Sequence, residues 1–221
     1  MPSRTCGLVR TVIDRIAAKT GAKTRLVDLA ELVPDLGIRG RADASPRLEE
    51  ALAAIEGAGL LIVGAPVYKG SYPGLFKHLI DLLEYPCLVR TPVGLLATGG
   101  SDRHALVVEY QLRPLFAFFG AKTLATAVFV PDKAIHNGWV VDEPCGARLS
   151  QMIAEAVHEL KALRAGPPRR RVRAGLPDPW GGRRRCERGE ASHGKSGFRH
   201  GSPRRLKRPR DGRAPSPPGT P

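Results

Sequence analysis

An α/β fold on a doubly wound parallel sheet is what this sequence predicts, and three observations predict it. Short apolar runs alternate with longer amphipathic stretches, the pattern of strand–helix–strand units. Residues 60–63 form an unbroken apolar run bounded by Gly59 and Gly64, which suits a strand buried on both faces. From Gly59 to Leu83 the chain then reads as strand, loop and crossover helix. Pro66 cannot donate to a ladder, and Pro73 opens a helix with Leu75, Phe76, Leu79, Ile80 and Leu83 on one face. In open α/β sheets ligands bind beyond the carboxyl ends of the strands, so residues 66–71 lie where a ligand would sit.

Taken in order, the chain begins with Met1-Pro2-Ser3-Arg4-Thr5-Cys6-Gly7 and runs straight into a helix with Leu8, Val9, Val12, Ile13 and Ile16 at helical spacing, stopped by Gly21. Residues 24–29 read as a short strand and 31–44 as a loop. Ser45-Pro46 supplies an N-cap and first-turn proline for a helix bearing Leu48, Leu52 and Ile55. After the central unit, residues 92–97 are a further apolar strand, ended by Thr98-Gly99-Gly100-Ser101. A helix spans 103–119. Pro114 within it lacks the N–H that would bond to the Tyr110 carbonyl, which predicts a kink or π-bulge near Tyr110. Residues 122–130 read as a fourth strand and 131–142 as irregular. Pro144 opens a last amphipathic helix with Leu149, Met152, Ile153, Ala156, Val157, Leu160 and Leu163, and the domain ends near Ala165. A fold of this class normally opens on a central strand, and here a helix comes first.

The formal net charge of +14 is unevenly placed. Residues 1–165 hold 19 basic and 17 acidic side chains, whereas 166–221 hold 16 and 4. The domain is thus nearly neutral, and the Arg/Pro/Gly-rich remainder is expected to be a disordered tail, because it has too few large apolar residues to offset the entropy of ordering. Its arginine runs, such as Arg169-Arg170-Arg171, would adhere weakly and salt-sensitively to nucleic acid at most, with only Trp180 and Phe198 available for stacking. The cysteines Cys6, Cys87, Cys145 and Cys186 have no CxxC or metal-ligand spacing, which points to a reduced, cytoplasmic setting. No secretory signal opens the chain and no apolar run is long enough to span a membrane.

Three short stretches are candidate sites. Ser3, Arg4 and Thr5 precede a helix, where hydroxyls, a guanidinium and free N–H groups favour a phosphate, although the same residues serve as an ordinary cap. Pro66, Val67, Tyr68, Lys69 and Gly70 could present backbone N–H groups and two side chains to a flat ligand. Thr98, Gly99 and Gly100 let a ligand approach the backbone at the neighbouring strand end. The histidines form no constellation, and neither a GxGxxG nor a nucleophile elbow occurs in the domain. No catalytic acid, base or metal ligand is indicated.

The stretch Ala65-Pro66-Val67-Tyr68-Lys69-Gly70-Ser71, followed by Gly74-Leu75-Phe76-Lys77-His78-Leu79-Ile80-Asp81, resembles the NADPH-dependent FMN reductases, particularly the sulfonate-utilisation type. So does Leu95-Leu96-Ala97-Thr98-Gly99-Gly100 with the following His104-Ala105-Leu106 and Glu109-Tyr110-Gln111-Leu112-Arg113-Pro114. The resemblance covers residue 2 to about 163 and implies a flavodoxin-like fold with FMN and NADPH as ligands. It implies the FMN phosphate at Ser3, Arg4 and Thr5, the isoalloxazine along Pro66 to Gly70, and Thr98, Gly99 and Gly100 at the far edge of the ring. It also implies oligomer packing through the 103–119 helix and a π-helical insertion at Tyr110. The family's first strand and the Gly-Ser at its end precede the residues matched, so the sheet is expected to lack that strand and part of its phosphate cradle, through a start assigned too late or a truncated product.

Hydride transfer between stacked rings needs position rather than an acid or base, in keeping with the absence of such a constellation. The function expected is an NAD(P)H:FMN oxidoreductase that hands reduced flavin to a partner monooxygenase. Two alternatives stand beside it: an FMN-bound reductase of quinones, azo dyes or metal oxyanions, and a catalytically idle protein whose basic tail binds nucleic acid.

Overall fold

The computed structural model describes residues 3–165. The basic segment 166–221, and the disorder expected of it, lie outside the described residues.

Helix α1, Arg4–Thr20, starts at the N-cap Ser3 and ends at Gly21 in the left-handed conformation, as its glycine stop requires. A four-residue helical turn, α2, Leu29–Leu32, and the helix α3, Pro46–Glu56, follow, the latter capped by Ser45 Oγ on the Leu48 N–H. The sheet comprises β1, Leu61–Pro66, β2, Pro92–Gly99, β3, Lys122–Thr123, and β4, Val128–Pro131, all parallel. Between them lie α4, Gly74–Asp81, and a helical stretch made of a π segment, Val108–Leu112, and α5, Arg113–Phe118. A small antiparallel hairpin, β5, Ile135–His136, with β6, Trp139–Val140, precedes the last helix α6, Glu143–Ala165.

Two apolar cores sandwich the sheet. On one face Leu8, Val12 and Ile16 of α1 meet Leu149, Met152 and Ile153 of α6 over Leu96 and Val128. On the other, Leu48 and Leu52 of α3, Ile80 of α4, and Leu112 and Phe116 cover Val93 and Leu95. Every residue of β2 is buried, as its central place in the sheet demands.

Four expectations need correction. Residues 24–29 form no strand: 21–28 have no regular structure and Leu29 begins α2. Leu26 still packs on one core and Val27 on the other, a strand-like alternation. The ladder is what is missing, because β1 pairs with β2 alone and no second strand lies beside it among the described residues. For the same reason β1 is an edge strand, half-buried except at Ala65 and not fully buried as expected: both its faces are covered, Leu61 and Val63 touching one core and Ile62 the other, but its outer edge is open.

The strand expected over 122–130 is split. Val93 faces Thr123 and Leu96 faces Val128, so two extra residues bulge out between β3 and β4. The backbone groups released there are recovered by side chains. Arg113 donates to the Leu124 carbonyl at 2.8 Å, Arg148 Nε to the Ala127 carbonyl at 2.8 Å, and Glu155 accepts the Thr126 N–H at 3.0 Å. Finally, the irregular 131–142 contains the β5–β6 hairpin, turned by Asn137 (φ 49°) and Gly138 (φ 81°), the pair of left-handed residues a two-residue hairpin loop needs.

The proline argument is met. Pro114 has no N–H to give to Tyr110, and the Arg113 N–H reaches back five residues to the Val108 carbonyl, so a π segment sits immediately ahead of the proline. Among the described residues no helix is long and apolar enough to cross a membrane.

Candidate active site at the carboxyl edge of the sheet

The three candidate stretches converge on the carboxyl ends of β1 and β2. Helix α1 runs antiparallel to the strands and lies directly on β1, because Gly64 has no side chain. A β-carbon there would stand 2.3 Å from Val9 Cγ2 and 3.2 Å from Thr5 Cγ2. The amino end of the helix is thereby brought to the edge where β2 ends, and Thr5 Oγ1 meets Thr98 Oγ1 at 2.6 Å.

At that end Ser3 Oγ accepts the Cys6 N–H at 3.2 Å and the Ser3 carbonyl accepts the Gly7 N–H at 3.0 Å. The amides of Arg4 and Thr5 belong to the first turn and have no helical carbonyl to bond. The first turn carries no acidic residue. The nearest counter-charge is Asp132, whose Oδ2 stands 3.7 Å from Arg4 Nη1. A hydroxyl cap, a guanidinium, two free amides and the positive end of a helix dipole make a donor set suited to a phosphate dianion.

Beyond β1 the chain turns sharply. Tyr68 and Ser71 exchange backbone hydrogen bonds of 2.8 and 3.2 Å around Lys69 (φ 53°) and Gly70 (φ 85°). Left-handed backbone is unusual for a lysine and costs about 1 kcal/mol or more, a strain found most often at functional loops. Ser71 donates to Gln111 Oε1 at 3.2 Å, tying the turn to the π segment, and Tyr68 stays 63% exposed. The Val67 N–H donates to the Thr98 carbonyl at 2.7 Å, so the loops after β1 and β2 lie side by side. A β-carbon on Gly99 would touch Phe129 and Val67 at about their contact distance, while one on Gly100 would meet nothing within 4 Å. The backbone at Gly100 is therefore open to a flat ligand.

Of the predicted residues, Ser3, Arg4, Pro66, Val67, Tyr68, Lys69, Gly70 and Gly100 are at least partly accessible, whereas Gly99 is buried and Thr5 and Thr98 are buried at 6% and 1% exposure. Sequence reasoning missed Asp132, Gly64 and the Thr5–Thr98 pair. Gly64 alone was visible, as a glycine inside a strand. The other two rest on contacts more than 90 residues apart along the chain.

Two clefts are present, the first away from these loops and the second bordering the loop after β2 through Phe129 and Pro131. One of about 610 Å³ lies between β3 and α6, lined by Lys122, Glu155 and His158 among others. The other, about 350 Å³, lies between the π segment and α6, with Glu109, Phe129, Cys145 and Arg148 in its walls. Burial pushes the Cys87 thiol up to about 12, and burial with Asp142 nearby pushes Cys145 up to about 11, so neither is a thiolate nucleophile at neutral pH. No cluster of three or more His, Cys, Asp or Glu able to hold a metal occurs among the described residues.

Comparison with known proteins decides the family. Residues 1–135 match the family model of the NADPH-dependent FMN reductases. The chain belongs to that family. Among its relatives, the FMN reductase (NADPH) of Pseudomonas aeruginosa is 44% identical over 149 residues, covering 67% of this chain and 80% of that one. The NADH-dependent FMN reductase SfnF of Pseudomonas fluorescens is 44% identical over the same coverage. Among solved structures, an oxidoreductase from Corynebacterium diphtheriae matches with TM-score 0.61 at 32% identity, covering 73% of this chain and 89% of that one. The apo form of the NADH:FMN oxidoreductase EMOB matches with TM-score 0.63 at 26% identity, covering 81% and 91%. The flavodoxin-like fold and an NAD(P)H:FMN oxidoreductase activity, with FMN and NADPH as ligands, follow from family membership. The donor set at the amino end of α1 has the charge and the N–H groups that a flavin phosphate requires.

Proposed function

We propose that this FMN reductase binds flavin along its carboxyl sheet edge, with Ser3, Arg4 and Thr5 at the phosphate, Pro66, Val67, Tyr68, Lys69 and Gly70 along the isoalloxazine, and the backbone of the Thr98-Gly99-Gly100 loop at the ring's far edge, where the buried Thr98 side chain does not reach the ligand. The observation that carries this reading is the junction at Thr98, where the amino end of α1 and the loops after β1 and β2 come together through hydrogen bonds of 2.6 and 2.7 Å. When bound, FMN supplies the hydride acceptor and NADPH the hydride. The chain contributes orientation. The Tyr68–Ser71 turn is braced by Gln111 so that the ring-side loop keeps one shape, and the first turn of α1 fixes the phosphate by charge and amide donors.

An open backbone beside an exposed tyrosine is a shallow cradle, which supports flavin acting as an exchanging substrate delivered reduced to a monooxygenase. A second copy of the chain would pack on the helical stretch 103–119, where Leu106 and Tyr110 are 59% and 71% exposed at helical spacing on one face. The three cysteines among the described residues, Cys6, Cys87 and Cys145, are free thiols, which supports a reduced, cytoplasmic setting.

The test is NADPH oxidation by the purified chain with FMN titrated from zero. Saturable dependence on added FMN is expected. Flavin that copurifies, with turnover indifferent to added FMN and driven by a quinone, would replace this reading by the flavin-retaining one.

A further inference from the structure

We propose that Thr98 is a positioning residue that acts on the phosphate end of the flavin through Thr5. The inference rests on the placing of the FMN phosphate at Ser3, Arg4 and Thr5. Thr98 occupies the next-to-last position of β2, paired with Pro66 of β1, and its carbonyl accepts the Val67 N–H at 2.7 Å. Its hydroxyl is 2.6 Å from that of Thr5, and the two residues are 1% and 6% exposed. One residue therefore connects the ring-side loop, by its backbone, to the phosphate-side helix, by its side chain.

The stereochemistry of threonine matters at both ends of this bond. The Thr5 methyl lies against the side-chain-free backbone of Gly64 in β1, 3.2 Å from where a β-carbon would be. Its hydroxyl, on the same Cβ, meets β2. Thr5 is thus held by two strands at once, and χ1 is fixed. Removing the Thr98 hydroxyl would leave that of Thr5 buried without its partner, which costs more than losing an exposed hydrogen bond. The first turn of α1 would then be free to shift relative to β2, and the groups that move are the phosphate donors. At 1% exposure, the Thr98 side chain is covered by protein on all sides, so its effect on a ligand passes through Thr5.

The test compares FMN with riboflavin, which differ only by the phosphate, using flavin-fluorescence quenching with the full chain. Thr98→Val should weaken FMN by roughly fivefold or more, the scale of one buried hydrogen bond, and leave riboflavin within about twofold of the parent. Thr98→Ser should restore FMN binding. In turnover, the KM for FMN should rise while kcat at saturating FMN is kept. The double variant T5V/T98V should bind FMN no more weakly than T5V alone, as expected of two groups acting as a unit. Should Thr98→Val not fold, Thr98→Ala removes the same hydroxyl without putting a methyl in its place and must show the same split. Equal loss of FMN and riboflavin, or no loss of either, would overturn the proposal. If the parent binds FMN and riboflavin equally, the phosphate site itself is wrong, and that result is read before any variant is compared.

Discussion

Arg4 and Asp132 face each other at the amino end of α1, the end proposed for the flavin phosphate, 3.7 Å apart with side chains 57% and 36% exposed. In a pair so open to water the mutual stabilisation is slight. Its effect on an incoming dianion is less slight, because Asp132 both occupies the guanidinium and repels the ligand. Asp132→Asn is expected to tighten FMN about two- to fivefold at low ionic strength and to leave riboflavin unchanged. The gain should shrink in several hundred millimolar salt, where the screening length falls to a few ångströms. Fluorescence titration at two salt concentrations checks this. Weaker FMN binding by the variant would mean that Asp132 orients Arg4 instead of competing for it.

Among the elements, the π segment shows how one residue reshapes a helix. Pro114 removes a donor, the helix widens ahead of it, and Arg113 is left to bridge from Glu109 to the Leu124 carbonyl at the β3–β4 bulge. Hydrogen bonding from Arg113 holds the Glu109 carboxyl below its usual range, despite some opposing desolvation. A carboxylate depressed in the folded state adds stability above its ordinary value near 4.5 and loses it as pH falls through the depressed one. Glu109→Gln should therefore lower Tm at neutral pH and flatten the decline of Tm below about pH 4.5, measured by thermal melts across pH. Parallel Tm curves for parent and variant would show that the pair adds nothing. The proline made this segment legible in advance. The β5–β6 hairpin was equally signalled, by Asn137-Gly138, but each of its strands is only two residues long, too short to show an alternation. The bulge had no such marker, since Leu124, Ala127, Val128 and Val130 make 122–130 look like one apolar strand.

At the scale of the whole molecule, charge divides the chain: residues 1–165 are close to neutral and 166–221 carry an excess of 12 positive charges. Deleting 166–221 should abolish salt-sensitive adhesion to RNA and leave FMN-dependent NADPH oxidation within about twofold, because the residues at the carboxyl edge, from Ser3 to Asp132, all precede the deleted segment. Filter binding and turnover of the two chains decide it, and RNA binding that survives the deletion would assign it to the domain.

By itself the sequence determined the alternation of elements, the apolar β2, the loops at the strand ends and the π segment, because each depends on periodicity or on a proline or glycine acting over a few residues. The tertiary structure alone decided that residues 24–29 stay outside the sheet, that α1 docks on Gly64, and that Thr5 bonds Thr98. Strand pairing and helix docking are made between residues distant in sequence. A strand without a ladder partner, like a hydroxyl without its neighbour, is defined by what the rest of the chain brings to it.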